Sequence, residues 1–420
     1  MRPSRPSILL SAFFTLLNDR LGESIVFPLL PYLLARFSGS GSTLGLLAGT
    51  YAVAQFAVAP LIGALSDRYG RRPVIRVCVA GSVLGLSLFA LTLSLPWMQL
   101  WPAAAASGLP LALLFVARVI DGISGGTAAT ATAVLADTST PENRARTFGL
   151  IGVAFGLGFV LGPALGGWLA ELNVILPVWA ATGFALVNLL LVLLVLPETH
   201  PPEARQLLPR KRDLNPVTQL ARVFANPQVR RLCVAFFLFF MAFNGFTAVL
   251  VLYLKEAFGW TTGLAGAAFA VVGVVAMVVQ GGLIGPLVKR FGEWRLTLVG
   301  IGLLIAGCLL VPLATVRNSQ PVVFSAVALL AMGTGLVTPC LRALVSRRLD
   351  DAGQGAALGS LQGLQSLGTF LGATAAGLSY DLLGQRSPFW LGIGLLLLVL
   401  ALVAGVGRAN RIDASPSPAA

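Results

Sequence analysis

Apolar residues in this chain fall in long blocks, not in the short alternating or spaced patterns of a water-soluble fold. Twelve blocks can be drawn, at 8–34, 43–65, 73–95, 108–137, 146–170, 174–196, 229–254, 263–288, 294–316, 320–345, 354–380 and 387–408. Roughly 20 apolar residues in a helix cross a ~30 Å hydrocarbon core, and each block reaches that length. The pattern predicts an all-α integral membrane protein with twelve transmembrane helices. The first block is of full span length and eleven more follow it, so it reads as a span and not as a cleavable signal peptide.

The one long hydrophilic break, Pro197 to Pro227, is rich in Pro and Arg and divides the blocks into two sets of six. "GALSDRYG" (63–70) follows the second block, and "GPLVKRFG" (285–292) follows the second block of the second set. Both read G-x-L-x-x-R-aromatic-G, so the halves are expected to be pseudo-symmetric copies. The organisation expected is a six-helix half at 1–196, a cytoplasmic linker at 197–228, a second half at 229–408 and a tail at 409–420.

Composition sharpens this picture. Hydrophobic residues are 56% of the 420 and charged residues 11%, with a net charge of +13; soluble chains carry about 25% charge. Arg2, Arg5, Arg68, Arg71, Arg72, Arg76, Arg144, Arg146, the cluster from Arg205 to Arg231, Lys289, Arg290, Arg295, Arg342, Arg347, Arg348, Arg408 and Arg411 fall on one side of the alternating blocks, while the other holds only Arg36, Lys255, Arg317 and Arg386. The positive-inside rule makes the rich side cytoplasmic and puts both termini there. The basic excess is an orientation signal and not a nucleic-acid footprint. Arginine outnumbers lysine 26 to 3, which suggests a GC-rich bacterial genome and a multi-pass inner (plasma) membrane location. Four scattered cysteines and one histidine, His200, argue against a bound metal, a cofactor or a disulfide framework. No nucleophile triad or phosphate-binding glycine loop is present, so the chain does not read as an enzyme.

Two motifs carry mechanism. "GALSDRYGRRPVI" (63–75) sets Asp67 among Arg68, Arg71 and Arg72 in a tight reversal bounded by Gly63 and Gly70. Its plainer explanation is a positive-inside anchor; the sharper one is a charge latch whose partners change as the halves move. In "GFVLGPALGG" (158–167), Gly158, Gly162 and Gly166 recur every four residues on one helix face, beside Pro163 and Gly167. Such a stripe permits close helix packing, and Pro163 removes a hydrogen bond.

These stretches, with "YAVAQFAVAPLIGALSDRYGRRPV", "RVIDGISGGTAATATAVLADTSTPENRARTFGL" and "QGAALGSLQGLQSLGTFLG", resemble the drug/proton antiporter branch of the major facilitator superfamily, and tetracycline-type efflux proteins within it. The resemblance implies two halves that rock around a central site near the midplane. It implies that the span 5 motif marks an antiporter, that Asp67 lies near the start of helix 11, and that Arg71 pairs with Asp137. It sets Asp19 on the family's helix 1 acid, Gln55 on its helix 2 glutamine and Arg118 on its helix 4 arginine. Tetracycline exporters carry further acids in helices 3 and 9 and a histidine in helix 8; here Gly85, Leu304 and apolar residues of 263–288 stand instead.

"NDRLGESIVFPLLP" (18–31) then acquires a reason. A charge at the helix centre costs about 2.5–3.5 kcal/mol on the insertion scale, so Asn18, Asp19, Arg20 and Glu23 should face a watery cavity, another helix or each other. Asp19 and Glu23 share one face, as do Arg118 and Asp121 in span 4. Arg20 is turned about 100° away and is expected not to pair easily with both acids. Asp19, Glu23 and Asp121 are expected to cluster around Arg118 and to carry protons. Crowding and desolvation favour the protonated carboxyl and a nearby guanidinium the ionised one, so motion of Arg118 would switch it. A static ion-pair network fixing helices 1 and 4 is the plainer alternative, with Arg20 its first member.

The second half offers neutral groups, Asn244, Gln280, Gln362 and Gln365, and a stripe of Phe236, Phe240 and Phe243 on span 7. Lipid-facing phenylalanine is the commoner explanation of such a stripe; a cavity-facing stripe would be an aromatic wall for an amphipathic substrate. The reading is a proton-coupled exporter of small amphipathic molecules, its partners substrate, protons and bilayer, functional as a monomer because one chain holds both halves. The alternatives are a sugar, metabolite or lipid transporter of the same fold, and a sensor or scaffold that moves nothing.

Overall fold

The computed structural model describes residues 5–138, 144–201, 203, 205, 215–225, 227–346, 348 and 351–412. Most of the expected linker and its basic cluster, and the tail from 413, lie outside the described residues. Among those described there is no strand.

Helix occupies every one of the twelve apolar blocks. In the first half, α1 (Arg5–Val26) passes through a 3-10 turn at Phe27–Leu29 into α2 (Leu30–Leu34). Then come α3 (Gly41–Tyr69), α4 (Arg71–Ser94), the short α5 (Trp97–Leu100) and α6 (Pro102–Ala106), α7 (Leu109–Ser124), α8 (Thr127–Asp137), α9 (Arg144–Leu172) and α10 (Leu176–Leu194). In the second half, α11 (Pro216–Ala225) precedes α12 (Pro227–Phe258), α13 (Thr262–Val278), α14 (Ile284–Leu313), α15 (Ser319–Ser346), α16 (Asp351–Leu383) and α17 (Ser387–Ile412). The fourth block is thus two helices, α7 and α8, parted at Gly125–Gly126.

Seven described segments are long and apolar enough to cross a membrane by length and composition alone. One, Thr262–Leu313, has 52 residues. At about 1.5 Å per residue that exceeds two bilayer cores, and Gly292 breaks it at φ 77°. Gly70, the matching glycine of the first-half copy, adopts φ 103° between α3 and α4. Both copies of the loop motif therefore end in a positive-φ glycine, a conformation costly to any residue with a Cβ. α1 is absent from the seven, set apart by Asp19, Arg20 and Glu23 within its apolar run.

Within the first half α1 packs on α9 and α10, and α4 on α7; within the second α12 packs on α16 and α17, and α14 on α15. The halves meet along α3 against α16 and α9 against α13. At the end opposite the chain termini this seam is reinforced by the Tyr32 hydroxyl, which donates to the Trp260 carbonyl at 2.6 Å, and by the Lys255 ammonium 5.1 Å above the Tyr32 ring. The apolar core continues through both halves, with Phe239, Phe246, Tyr253 and Phe389 fully buried.

Candidate functional site

Two cavities meet at Glu23. One, with an empty volume of about 420 Å³, lies inside the first half and is polar, bordered by Asn18, Asp19, Glu23, Tyr51, Ser82 and Asp121. The other, about 800 Å³, lies between the halves and is apolar, bordered by Phe27, Phe159, Phe243, Asn244 and Leu330 beside Glu23. α1 supplies both walls because its charged face and its apolar face flank the same residue.

The charges on α1 pair with each other. The Arg20 guanidinium reaches Asp19 Oδ2 at 2.6 Å and Glu23 Oε2 at 2.5 Å. This corrects the expectation that Arg20 could not serve both acids. The angular offset fixes where Cβ points, but an arginine side chain is long and ends in a planar fork with five donors, enough to bridge both acids. Asp19 and Arg20 are 10% and 13% exposed, whereas Glu23 is 34% exposed. The expected ring of acids around Arg118 is corrected too. Buried Arg118 pairs with Asp121 at 3.5 Å and lies 4.9 Å above the Tyr51 ring, while Arg20 holds Asp19 and Glu23. The site is two ion-pair groups on facing helices, with three acids against two arginines.

The glycine stripe of α9 sets the charged helix in place. A Cβ added to Gly158 would sit 2.6 Å from Arg20 Cβ, one on Gly162 1.9 Å from Ser24 Oγ, and one on Gly166 2.7 Å from the Ile25 carbonyl. The Ser24 hydroxyl donates to the Gly158 carbonyl at 2.8 Å. Gly167 turns the other way and touches Gly263 and Gly266 of α13 in the second half. Pro163 borders the larger cavity.

The remaining residues divide. Asn18 borders the polar cavity and donates to the Phe14 carbonyl at 3.0 Å. Gln55 bridges the halves, donating to the Gly125 carbonyl at 3.1 Å and accepting from Ser366 at 3.3 Å. Phe243 and Asn244 border the larger cavity. Phe236 and Phe240 are buried in the core at 0% and 5% exposure, so they are neither lipid-facing nor cavity walls. The cavity stops one turn short of them. Gln362 and Gln365 border neither cavity; both accept from Arg342, at 3.4 and 2.7 Å.

In the loop between α3 and α4, Arg71 bonds Asp137 at 3.0 Å and Asp67 at 2.5 Å. The Glu198 carboxylate accepts from the backbone N–H groups of Arg71 and Arg72, satisfying donors that a helix start leaves free. Burial pushes the Arg71 guanidinium toward losing its proton, but its bonds to Asp137 and Asp67 outweigh this and raise its pKa above the ordinary value. Arg68 stacks over Tyr69, Arg72 donates to the Leu193 carbonyl, and Gly63 is exposed. The side chains at the start of α16, where the resemblance would bring Asp67, lie outside the described residues.

Sequence reasoning passed over Tyr51, Ser82 and Asn188 in the polar cavity. Tyr51 carries a signal, since it stands four residues before Gln55 on one face of α3. Arg342 was counted only as an orientation charge.

Two six-helix halves, a cavity between them and buried ion pairs beside it define a membrane transporter. The family model of the Major Facilitator Superfamily matches residues 12–372. The chain belongs to this superfamily. It is 35% identical over 361 residues to the class C tetracycline resistance protein of Escherichia coli, covering 85% of this chain and 86% of that one. It is 27% identical to multidrug resistance protein 2 of Bacillus subtilis (strain 168), covering 97% and 96%. The crystal structure of the human organic anion transporter MFSD10 aligns with a TM-score of 0.72 and 28% identity, covering 96% of this chain and 100% of that one.

Proposed function

We propose that the chain is a proton-coupled exporter of small amphipathic molecules that works by alternating access in the inner membrane, as a monomer with both termini in the cytoplasm. The observation that carries this is Glu23, which borders both the polar cavity and the cavity between the halves. A molecule entering the larger cavity meets a carboxylate that belongs to the buried charge cluster. Asp19, Arg20 and Glu23 together hold one negative charge too many, so one proton, or one donor group of the cargo, completes the cluster. Competition between the two for Glu23 couples their movement in opposite directions.

Arg71, Asp67 and Asp137 serve as the cytoplasmic latch in this scheme, and the α9 stripe keeps α1 against the moving seam. The relatives, tetracycline and multidrug resistance proteins, favour efflux over a sugar, metabolite or lipid cargo. The test is proton movement in inside-out vesicles as a panel of amphipathic drugs is added, with Asp19→Asn beside the parent. Drug-triggered proton efflux that vanishes in the variant supports the proposal. Drug crossing with no proton signal in the parent overturns the coupling.

A further inference from the structure

The first half holds three acids against two arginines around its cavity, whereas Arg342 of the second half has neutral side chains as its hydrogen-bond partners. Arg342 is half-buried on α15, and no described carboxylate pairs with it. Its Nε is buried without a hydrogen-bond partner, and its Nη2 is held by the neutral oxygens of Gln365, at 2.7 Å, and Gln362, at 3.4 Å. Its guanidinium carbon lies 5.9 Å from the centre of the Phe236 ring. A half-buried guanidinium stays charged, and a charge out of water is costly unless an opposite charge joins it. Neutral amides and a ring face supply only part of that.

Its position connects it to the transport path. Arg342 stands eleven residues beyond Ala331, which borders the cavity between the halves. Eleven residues are close to three full turns, so the two share one helix face roughly 16 Å apart. On α12, Phe236 stands seven residues before cavity-lining Phe243, again about two turns along one face. The two helices carry one continuous face from the cavity toward the end of the chain termini, with Arg342 on it and exposed Gln362 beside it.

We propose that Arg342, Gln362 and Gln365 form an anion-recognition site, and that the cargo is an amphipathic molecule bearing a carboxylate, sulfonate or enolate. The planar fork suits such groups, and each glutamine, having given its oxygen to Arg342, keeps an amide NH₂ to donate. The body of the cargo lies against Phe27, Phe159 and Phe243 in the cavity between the halves, and a donor group at its other end meets Glu23. This deepens the export reading and rests on it for the direction of movement, but not for the binding itself.

The test uses purified full-length protein and two fluorescent probes with one xanthene body. Fluorescein carries a carboxylate, and rhodamine 123 is a cation whose carboxyl is esterified. Anisotropy titrations give Kd for the parent, Arg342→Gln and Arg342→Lys. The parent is expected to bind fluorescein more tightly than rhodamine 123. Arg342→Gln should weaken fluorescein by about tenfold or more, as for a lost charged hydrogen bond, and leave rhodamine 123 within about twofold; Arg342→Lys should fall between. Retained rhodamine binding shows that the variant is folded. A fluorescein Kd unchanged in Arg342→Gln, equal weakening of both probes, or no fluorescein binding by the parent overturns the site. Drug-triggered proton flux is read separately, so a failed anion site with intact flux, and an intact anion site without flux, are distinct results.

Discussion

Asp381, at the end of α16 in the second half, closes on Ser42, at the start of α3 in the first. Its carboxylate accepts from the Ser42 backbone N–H at 2.8 Å, from the Ser42 hydroxyl, and from the Gly41 N–H at 2.8 Å. These are donors that the first turn of α3 cannot satisfy internally. One half thus caps a helix of the other, at the end opposite the chain termini. The neighbouring Tyr380 donates to Glu256 of its own half at 2.6 Å, so adjacent residues hold the α16 end to both halves. Asp381→Ala should open this seam. An exposed cap contributes about 1 kcal/mol, a shift of about fivefold in the open population. Spin labels at exposed Arg36 and Arg386 should report a longer distance population in the variant; an unchanged distribution would remove Asp381 from the latch.

The same contact sets a pH response. Burial pushes the Asp381 carboxyl up, but the Ser42 hydroxyl and the Ser42 and Gly41 N–H groups outweigh it and hold it below its ordinary value of 3.8. A depressed carboxylate stabilises the joined state above its free pKa, and that contribution is lost as pH falls through the depressed value. The label distances should therefore stay constant from about pH 8 to pH 5 and lengthen only below about pH 4. Opening near pH 6 would mean that another group controls the seam.

Span positions were legible because bilayer thickness imposes a one-dimensional rule, the length of apolar helix. The break at Gly292 was legible as well, since the loop motif repeats there with its glycine. Side-chain pairing was not. Helical spacing says where Cβ points, which is why Arg20 looked unable to hold both Asp19 and Glu23, but the reach of a guanidinium is not in the spacing. Phe236, Phe240 and Phe243 show the same limit along the helix axis. Their period places them on one side of α12, yet where the cavity ends is decided by α13 and α15. Arg342 was hidden by its neighbours Arg347 and Arg348, beside which it passes for one more cytoplasmic charge.

The loop latch predicts an asymmetry between two acids sharing one arginine. Asp67 is 43% exposed and Asp137 24%, and exposed pairs contribute little. Asp137→Asn should lower the thermal midpoint of the purified protein more than Asp67→Asn. Arg71→Ala should exceed both, because it removes the cation that the two carboxylates share. Equal midpoints for the two acid variants would deny that burial ranks these contacts.

Gly162 and Ser24 offer a test of the α9 stripe by compensation. A methyl at Gly162 meets Ser24 Oγ at 1.9 Å and Ser24 Cβ at 2.8 Å. Overpacking of this kind costs about 1–3 kcal/mol, so Gly162→Ala should lower the thermal midpoint and drug-dependent proton flux together. Ser24→Gly removes the atoms in the way. The double variant should recover more than the sum of the single effects, a coupling read from a double-mutant cycle. Strict additivity would place the strain elsewhere on α9.

Glu23 and Asp19 share Arg20 but differ in access, and the proposed coupling turns on that difference. If cargo and one proton compete for Glu23, the apparent affinity of the parent should rise with pH by up to about tenfold per unit over the range where the cluster titrates. Glu23→Gln copies the protonated state permanently. Its affinity should match the parent's low-pH value and stay flat with pH, while the Asp19–Arg20 pair, 2.6 Å apart, remains balanced and the fold intact. Asp19→Asn leaves Arg20 balanced by Glu23 alone, so the excess negative charge is gone and the pH response should disappear together with the drug-triggered proton flux. Binding titrations of a single fluorescent drug across pH 5 to 9 separate these outcomes. A slope that survives in Glu23→Gln and disappears in Asp121→Asn would transfer the proton from α1 to α7, and with it the coupling from the seam between the halves to the interior of the first.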